Sequence, residues 1–176
     1  MNTELEVRLL NINKEDLITK LEKNNAKFIG DWFQVRYVYD FNPVDPNRWI
    51  RLRTNGQVAT LTIKEVVDKS VEGTKELEIE VSSIETTHLI LEKLGYKRRS
   101  IQENKRIRYI LNDVEIDIDT WPHLNTYVEF EANSVEKIKE VFKLLELNYE
   151  DAITDNAQDI YMNLGYTQED LNNLKF

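Results

Sequence analysis

Glu4-Leu5-Glu6-Val7-Arg8, near the start of the 176-residue chain, alternates charged and apolar side chains, and Val128-Glu129-Phe130-Glu131 does the same further on. Successive side chains of a strand point to opposite faces, so Glu4, Glu6 and Arg8 share one face while Leu5, Val7 and Leu9 share the other. The apolar face can be buried. Two carboxylates on the opposite face of each strand outline a metal site.

The alternation recurs along the chain. Arg51 and Arg53 flank Leu52, Thr60, Thr62 and Lys64 alternate with Leu61 and Ile63, and Glu76, Glu78 and Glu80 alternate with Leu77 and Ile79. Downstream, Asn104, Arg106 and Arg108 share a parity, while Glu115, Asp117 and Asp119 alternate with Val114, Ile116 and Ile118. Arg36 joins the same charged set. Asn55-Gly56 and Asn112-Asp113 mark hairpin turns. Two architectures give this pattern: an open antiparallel sheet with one face in water, and a closed barrel with a charged interior and helices packed on its apolar outside. Residue choice favours the α+β barrel, because arginine and carboxylate dominate where a merely solvated face would carry Lys, Gln, Ser and Thr freely.

Helices are expected after Asn13, with Leu17, Ile18 and Leu21 on one side, and after Ser82 or Ser83, ending at Gly95. A third follows Ser134, with Val135, Ile138, Val141, Phe142 and Leu145 as its apolar stripe. Thr154 or Asp155 is expected to cap a short turn ending near Gly165. The chain reads as one domain over 1–176, with a core of about 2–145 and a helical tail over 150–176.

Hydrophobic residues at 41% and charged residues at 31% describe a folded, well-solvated protein. The absence of cysteine excludes disulfides, zinc-thiolate sites and thiol nucleophiles. Neither a basic leader nor an apolar run of about 18 residues is present, so a cytoplasmic protein without membrane contact is expected. A net charge of −9 argues against an extended nucleic-acid track. A cavity lined by both signs suits a chain of phosphates carrying a divalent cation. Arginine forks hold phosphate oxygens, and carboxylates hold Mg2+ or Mn2+ while phosphates and waters complete the shell.

Taken together, Glu4-x-Glu6-x-Arg8, Arg51-x-Arg53, Lys64, Glu76-x-Glu78, Arg106, Asp119 and Glu129-x-Glu131 resemble the CYTH superfamily of triphosphate tunnel metalloenzymes, and most of all its class IV adenylate cyclase-like branch. The resemblance covers about residues 2–145. It implies an eight-stranded antiparallel barrel whose tunnel binds a triphosphate with Mg2+ or Mn2+. Members hydrolyse inorganic triphosphate, thiamine triphosphate or nucleoside triphosphates, or cyclise ATP. Carried over, Glu4, Glu6, Asp119, Glu129 and Glu131 are metal-side or water-orienting carboxylates. Arg8, Arg51, Arg53, Lys64, Arg106 and Arg108 are phosphate ligands, and Glu4, Glu6, Arg8, Glu78 and Asp119 are catalytic.

The chain departs from the pattern at two positions. Arg8 stands where the family has lysine, and Asn104 where lysine is frequent, so that charge falls to Lys105, of opposite strand parity, or to Arg108. His88 and His123 have no partner at metal-ligand spacing. Trp49 and Trp121 read as packing anchors or as a stacking surface at a tunnel mouth. The expected function is a metal-dependent triphosphatase acting on a small triphosphate; the alternatives are an adenylate cyclase and a non-catalytic polyphosphate- or nucleotide-binding module. A homodimer is expected from the tail beyond Asn148.

Overall fold

A computed structural model describes residues 2–176, with side chains from Leu5 onward. The chain runs β1 (Asn2–Leu9), α1 (Lys14–Lys23), β2 (Lys27–Asp40), β3 (Arg48–Thr54), β4 (Ala59–Val66), β5 (Thr74–Val81) and α2 (Ile84–Lys93). It continues through β6 (Arg98–Leu111), β7 (Val114–Thr120), β8 (Tyr127–Ala132), α3 (Val135–Leu144), α4 (Ala157–Asn163) and β9 (Asn173–Leu174).

The sheet order is β2-β3-β4-β5-β1-β8-β7-β6, antiparallel throughout, and β2 at one end of it also pairs with β6. The α+β expectation thus holds as eight antiparallel strands in a strongly curled sheet, with helices against the outside. Curvature has local causes. The two 14-residue strands β2 and β6 carry register shifts at Phe28/Gly30 and at Val38/Tyr39, and such irregularities bend and twist a strand. Between β6 and β7, Asn112 and Asp113 take φ of 52° and 62°, the left-handed conformation that a two-residue hairpin demands.

The outward parity of the strands meets the helices. Val7, Ile116, Ile118, Val128 and Phe130 pack under Leu17 and Leu21 of α1 and Ile138 and Phe142 of α3. On the other side, Leu91 of α2 packs on Tyr39, Ile50 and Leu52. Asn13, Ser83 and Ser134 cap these helices, each accepting a hydrogen bond from the main-chain N–H three residues on. The helical cover is incomplete, since Leu77 and Ile79 on the outer face of β5 are exposed. Among the described residues no helix is long and apolar enough to cross a membrane.

The tail departs from its expected form. Asn156, rather than Thr154 or Asp155, caps α4, and Thr167 with Asp170 shapes a further short turn, of 3-10 form. Ile160, Tyr161, Leu171 and Leu174 bury themselves against Trp121 and Tyr127 of the same chain. Tyr161 Oη donates to the Pro122 carbonyl at 2.6 Å. β9 lies parallel to β6 at Ile101 and Gln102, along the stretch that β7, paired only from Lys105 to Leu111, leaves open. Because Tyr127 has the inward parity of Glu129, this cluster sits across one end of the curled sheet.

Leu171 is 1% exposed in that cluster, so Leu171→Ala is expected to lower stability by about 2–5 kcal/mol, the usual cost of such a cavity. Urea denaturation measures it. An unchanged midpoint would show that the tail is not docked.

Candidate functional site

The inward-facing side chains enclose a cavity of about 360 Å³. Strand register decides which residues meet there. Glu6 stands opposite Glu131 and Arg8 opposite Glu129 between β1 and β8. Arg106 faces Asp119 and Arg108 faces Asp117 between β6 and β7. Arg36 faces Arg53 between β2 and β3.

On the wall formed by β1, β8, β7 and β6, carboxylates outnumber cations and every cation is committed. Arg8 is 4% exposed. It donates from Nε to Glu129 Oε1 at 2.8 Å, from Nη2 to Glu6 Oε1 at 2.9 Å, and from Nη1 to the main-chain carbonyl of Asp155 at 3.0 Å. Backbone hydrogen bonds in both directions between Arg8 and Ile153, each 2.8 Å, fix the tail beside it. Arg106 grips Asp119 with Nε at 2.7 Å and Nη2 at 2.5 Å, and reaches Asp117 Oδ2 at 2.5 Å and Glu129 Oε2 at 2.6 Å. Arg108 is taken up by Asp117 and by Glu115, at 2.6 Å from each. Burial disfavours the charge on Glu129, but Arg8 and Arg106 outweigh it and hold its pKa well below the usual carboxylate range. Glu6 is shifted the same way, burial being overcome chiefly by Arg8 and Lys64.

The wall formed by β2 to β5 has the opposite balance. Lys64 pairs with Glu76. Arg51 Nη2 lies 3.3 Å from Glu78 Oε2 and Arg53 Nη2 lies 4.0 Å from the same oxygen, which also accepts from Thr62 Oγ1 at 2.5 Å. Arg51 and burial push the Arg53 guanidinium well below its ordinary pKa. Burial, Arg51 and Arg106 lower that of Arg36 to about 10. Cations crowd here without enough acid between them.

Of the residues singled out by the sequence, Glu6, Arg8, Arg51, Arg53, Lys64, Glu78, Arg106, Arg108, Glu129 and Glu131 line this one cavity. Asp119 shares their strand parity but lies behind Arg106, fully buried, with both oxygens engaged by it. The Glu4 side chain lies outside the described residues. Asn104 accepts from Arg36 Nη2 at 2.9 Å and donates to Asp119 Oδ1 at 3.2 Å, whereas Lys105 is exposed on the other face beside Phe176. His88 meets the Tyr39 hydroxyl at 2.9 Å and His123 stacks on Tyr166, both away from the cavity.

The sequence marked Arg36 as inward-facing but gave it no role. It gave no sign that Asn156, Gln158 and Asp159 of the tail would line the cavity, since a short polar segment carries no periodicity.

The donor set fits a hard divalent cation. The cavity offers carboxylate oxygens and no histidine or thiolate, which suits Mg2+ or Mn2+. Among the described residues no three such side chains converge closely enough to hold an ion alone. Mg2+ binds through one or two carboxylates together with substrate phosphates and water, and Glu6, Glu129 and Glu131 are carboxylates of the acidic wall that could hold it in that way.

The CYTH domain family matches residues 2–159. Among solved structures, the PH1012 protein of Pyrococcus horikoshii OT3 is similar at a TM-score of 0.75 and 27% identity, over 87% of this chain and 96% of that one. A protein of Vibrio parahaemolyticus described as a candidate adenylate cyclase is similar at 0.78 and 12%, over 92% and 98%. HpAC1 of Hippeastrum, described as a candidate adenylyl cyclase with a dominant triphosphatase activity, is similar at 0.61 and 14%, over 95% and 97%. The last two likenesses are of fold. No curated protein matches the sequence.

The depressed pKa of Glu129 fixes the direction of a pH dependence. The unfolded chain takes up its proton near the ordinary glutamate value of about 4.3, while the folded protein resists until a lower pH. The stabilisation is therefore complete above that value and is lost as the pH falls toward the folded pKa. Urea midpoints measured from neutral to acid pH are expected to fall along this limb. In Glu129→Gln the protein should be less stable at neutral pH, and its acid limb should be flatter. Parallel limbs in the two proteins would contradict the assignment.

Proposed function

The chain belongs to the CYTH domain family, and on that premise we propose that it is a divalent-metal-dependent triphosphatase acting on a small triphosphate inside a closed barrel. The observation that carries this reading is the polarity of one cavity. Glu6, Glu129 and Glu131 line one wall, Arg51, Arg53 and Lys64 line the other, and Arg106 lies among them. What supports closure is the long pairing of β2 with β6, from Lys27 opposite Ile110 to Tyr39 opposite Arg98.

The phosphate chain lies along Arg51, Arg53 and Lys64, whose donors replace its hydration shell. Glu6, Glu129 and Glu131, with Glu4 assigned by its motif, would hold Mg2+ or Mn2+, which would supply charge neutralisation on the phosphates and aid attack by water. A carboxylate of this set orients the water and accepts its proton as oxygen bonds to the terminal phosphorus. The bridging P–O bond breaks, and orthophosphate and the shortened chain leave. Arg8 and Asp119 act at one remove. Arg8 fixes the spacing of Glu6 and Glu129, and Asp119 holds Arg106 in place. Glu78 steadies Arg51 and Arg53, and Arg108 adds charge at the edge of the site.

Trp49 lines the same cavity, which favours a substrate with an aromatic base and makes cyclisation of ATP the second reading. Product analysis separates the two. The protein is incubated with inorganic triphosphate and, separately, with ATP, each with Mg2+ or Mn2+. Orthophosphate is expected, and chelation by EDTA should stop its release. Cyclic AMP with pyrophosphate would overturn the hydrolase reading for ATP, and tight binding without turnover would leave only a binding module. Glu6→Gln is expected to lower kcat by about 100-fold or more, the scale for loss of a group that stabilises the transition state.

A further inference from the structure

Among the buried polar groups that line the cavity without a hydrogen-bond partner are Arg36 Nε, Arg51 Nε, Trp121 Nε1 and Tyr127 Oη. The guanidinium and indole nitrogens can only donate, and a hydroxyl donates readily. Buried donors left unmet are costly and uncommon. Here they gather around a single side chain. Arg36 is 8% exposed. Its guanidinium lies 4.3 Å over the Trp121 ring, and its one hydrogen bond among the described residues goes to a neutral acceptor, Asn104 Oδ1 at 2.9 Å. The charges that face it from the adjoining strands are Arg51, Arg53 and Arg106, and the one carboxylate among these neighbours, Asp119, is already taken up by Arg106 and Asn104. Arg8 is the opposite case, with each of its three nitrogens donating, to Glu129, Asp155 and Glu6.

We propose that Arg36, with Arg51, the Trp121 indole and the Tyr127 hydroxyl, forms a phosphoryl subsite at the tail-covered end of the cavity. This rests on the reading of the cavity as a triphosphate site and adds to it a ligand outside the charged motifs. The subsite takes a tetrahedral oxyanion, whose oxygens meet the donors and whose charge relieves repulsion among the arginines. The free protein is thus under electrostatic strain at Arg36, and the anion removes it. Affinity and free-state stability should then respond to substitution at this position in opposite directions, which a simple structural role would not produce.

The test is calorimetric titration with inorganic triphosphate in metal-free buffer, which needs no turnover, alongside thermal unfolding with and without the anion. Arg36→Gln is expected to bind about 10-fold or more weakly, as befits loss of a charge-assisted donor pair, and to unfold without anion at the same or a higher temperature than the wild type. Tyr127→Phe removes only a hydroxyl, and its affinity should fall by about 2- to 10-fold. It carries the test should Arg36→Gln fail to fold. Wild-type affinity in either folded variant would overturn the subsite. So would a loss of affinity in Arg36→Gln matched by a loss of free-state stability. Binding through Arg36 without orthophosphate release once Mg2+ or Mn2+ is added would sink the hydrolase reading and leave the subsite standing. Turnover with binding indifferent to Arg36 would do the reverse, and a wild type that binds triphosphate neither in metal-free buffer nor with Mg2+ or Mn2+ added would overturn both.

Discussion

A buried carboxylate stays ionised only if cations share it, and Glu129 is shared by Arg8 and Arg106. Burial alone would neutralise it. The pairing does not make the fold more stable than a well-packed apolar lining would; what it fixes is an array of charges in place without solvent, at a cost that the surrounding core must offset. From Glu129 the network spreads to Glu6 through Arg8, to Asp119 and Asp117 through Arg106, and to Glu115 through Arg108. Loss of one member leaves its partners charged and unmatched. The acidic wall is therefore one interlocked unit rather than a set of separate ligands.

The opposite wall has no such closure. Arg36, Arg51 and Arg53 repel one another across β2 and β3, with Glu78, and Glu76 at 3.6 Å from Arg51, as partial counterweights. An interior balanced on one side and short of negative charge on the other has a built-in direction. A ligand that brings negative charge on its own atoms and a cation alongside completes both halves together, which neither a free metal ion nor a neutral substrate would do.

Strand alternation made much of this legible in the sequence. Parity alone placed Glu6, Arg51, Arg53, Lys64, Arg106 and Glu129 on one face, and helix caps at Asn13 and Ser134 followed from local chemistry that tertiary context did not override. Parity says which face a side chain takes but not how deep it lies or whose charge it meets. Asp119, marked as a metal-side or water-orienting carboxylate, lies fully buried against Arg106. Arg8, marked as a phosphate ligand, is paired with Glu6 and Glu129. Arg36 went unassigned because its meaning comes from Trp121 and Asn104, distant in sequence and set beside it only by the curl of the sheet. The tail was the least legible part, since Leu171 and Leu174 lie in turns and a two-residue strand whose burial no periodic pattern announces.

The contact between Arg8 and the Asp155 carbonyl joins residues 147 positions apart. Such a contact can form only once the sheet has curled and the tail has come back to it, and closing contacts of such long sequence separation is slow. A change in the tail that displaces the Asp155 carbonyl would therefore unsettle the spacing of Glu6 and Glu129, which Arg8 sets from the far side of the fold.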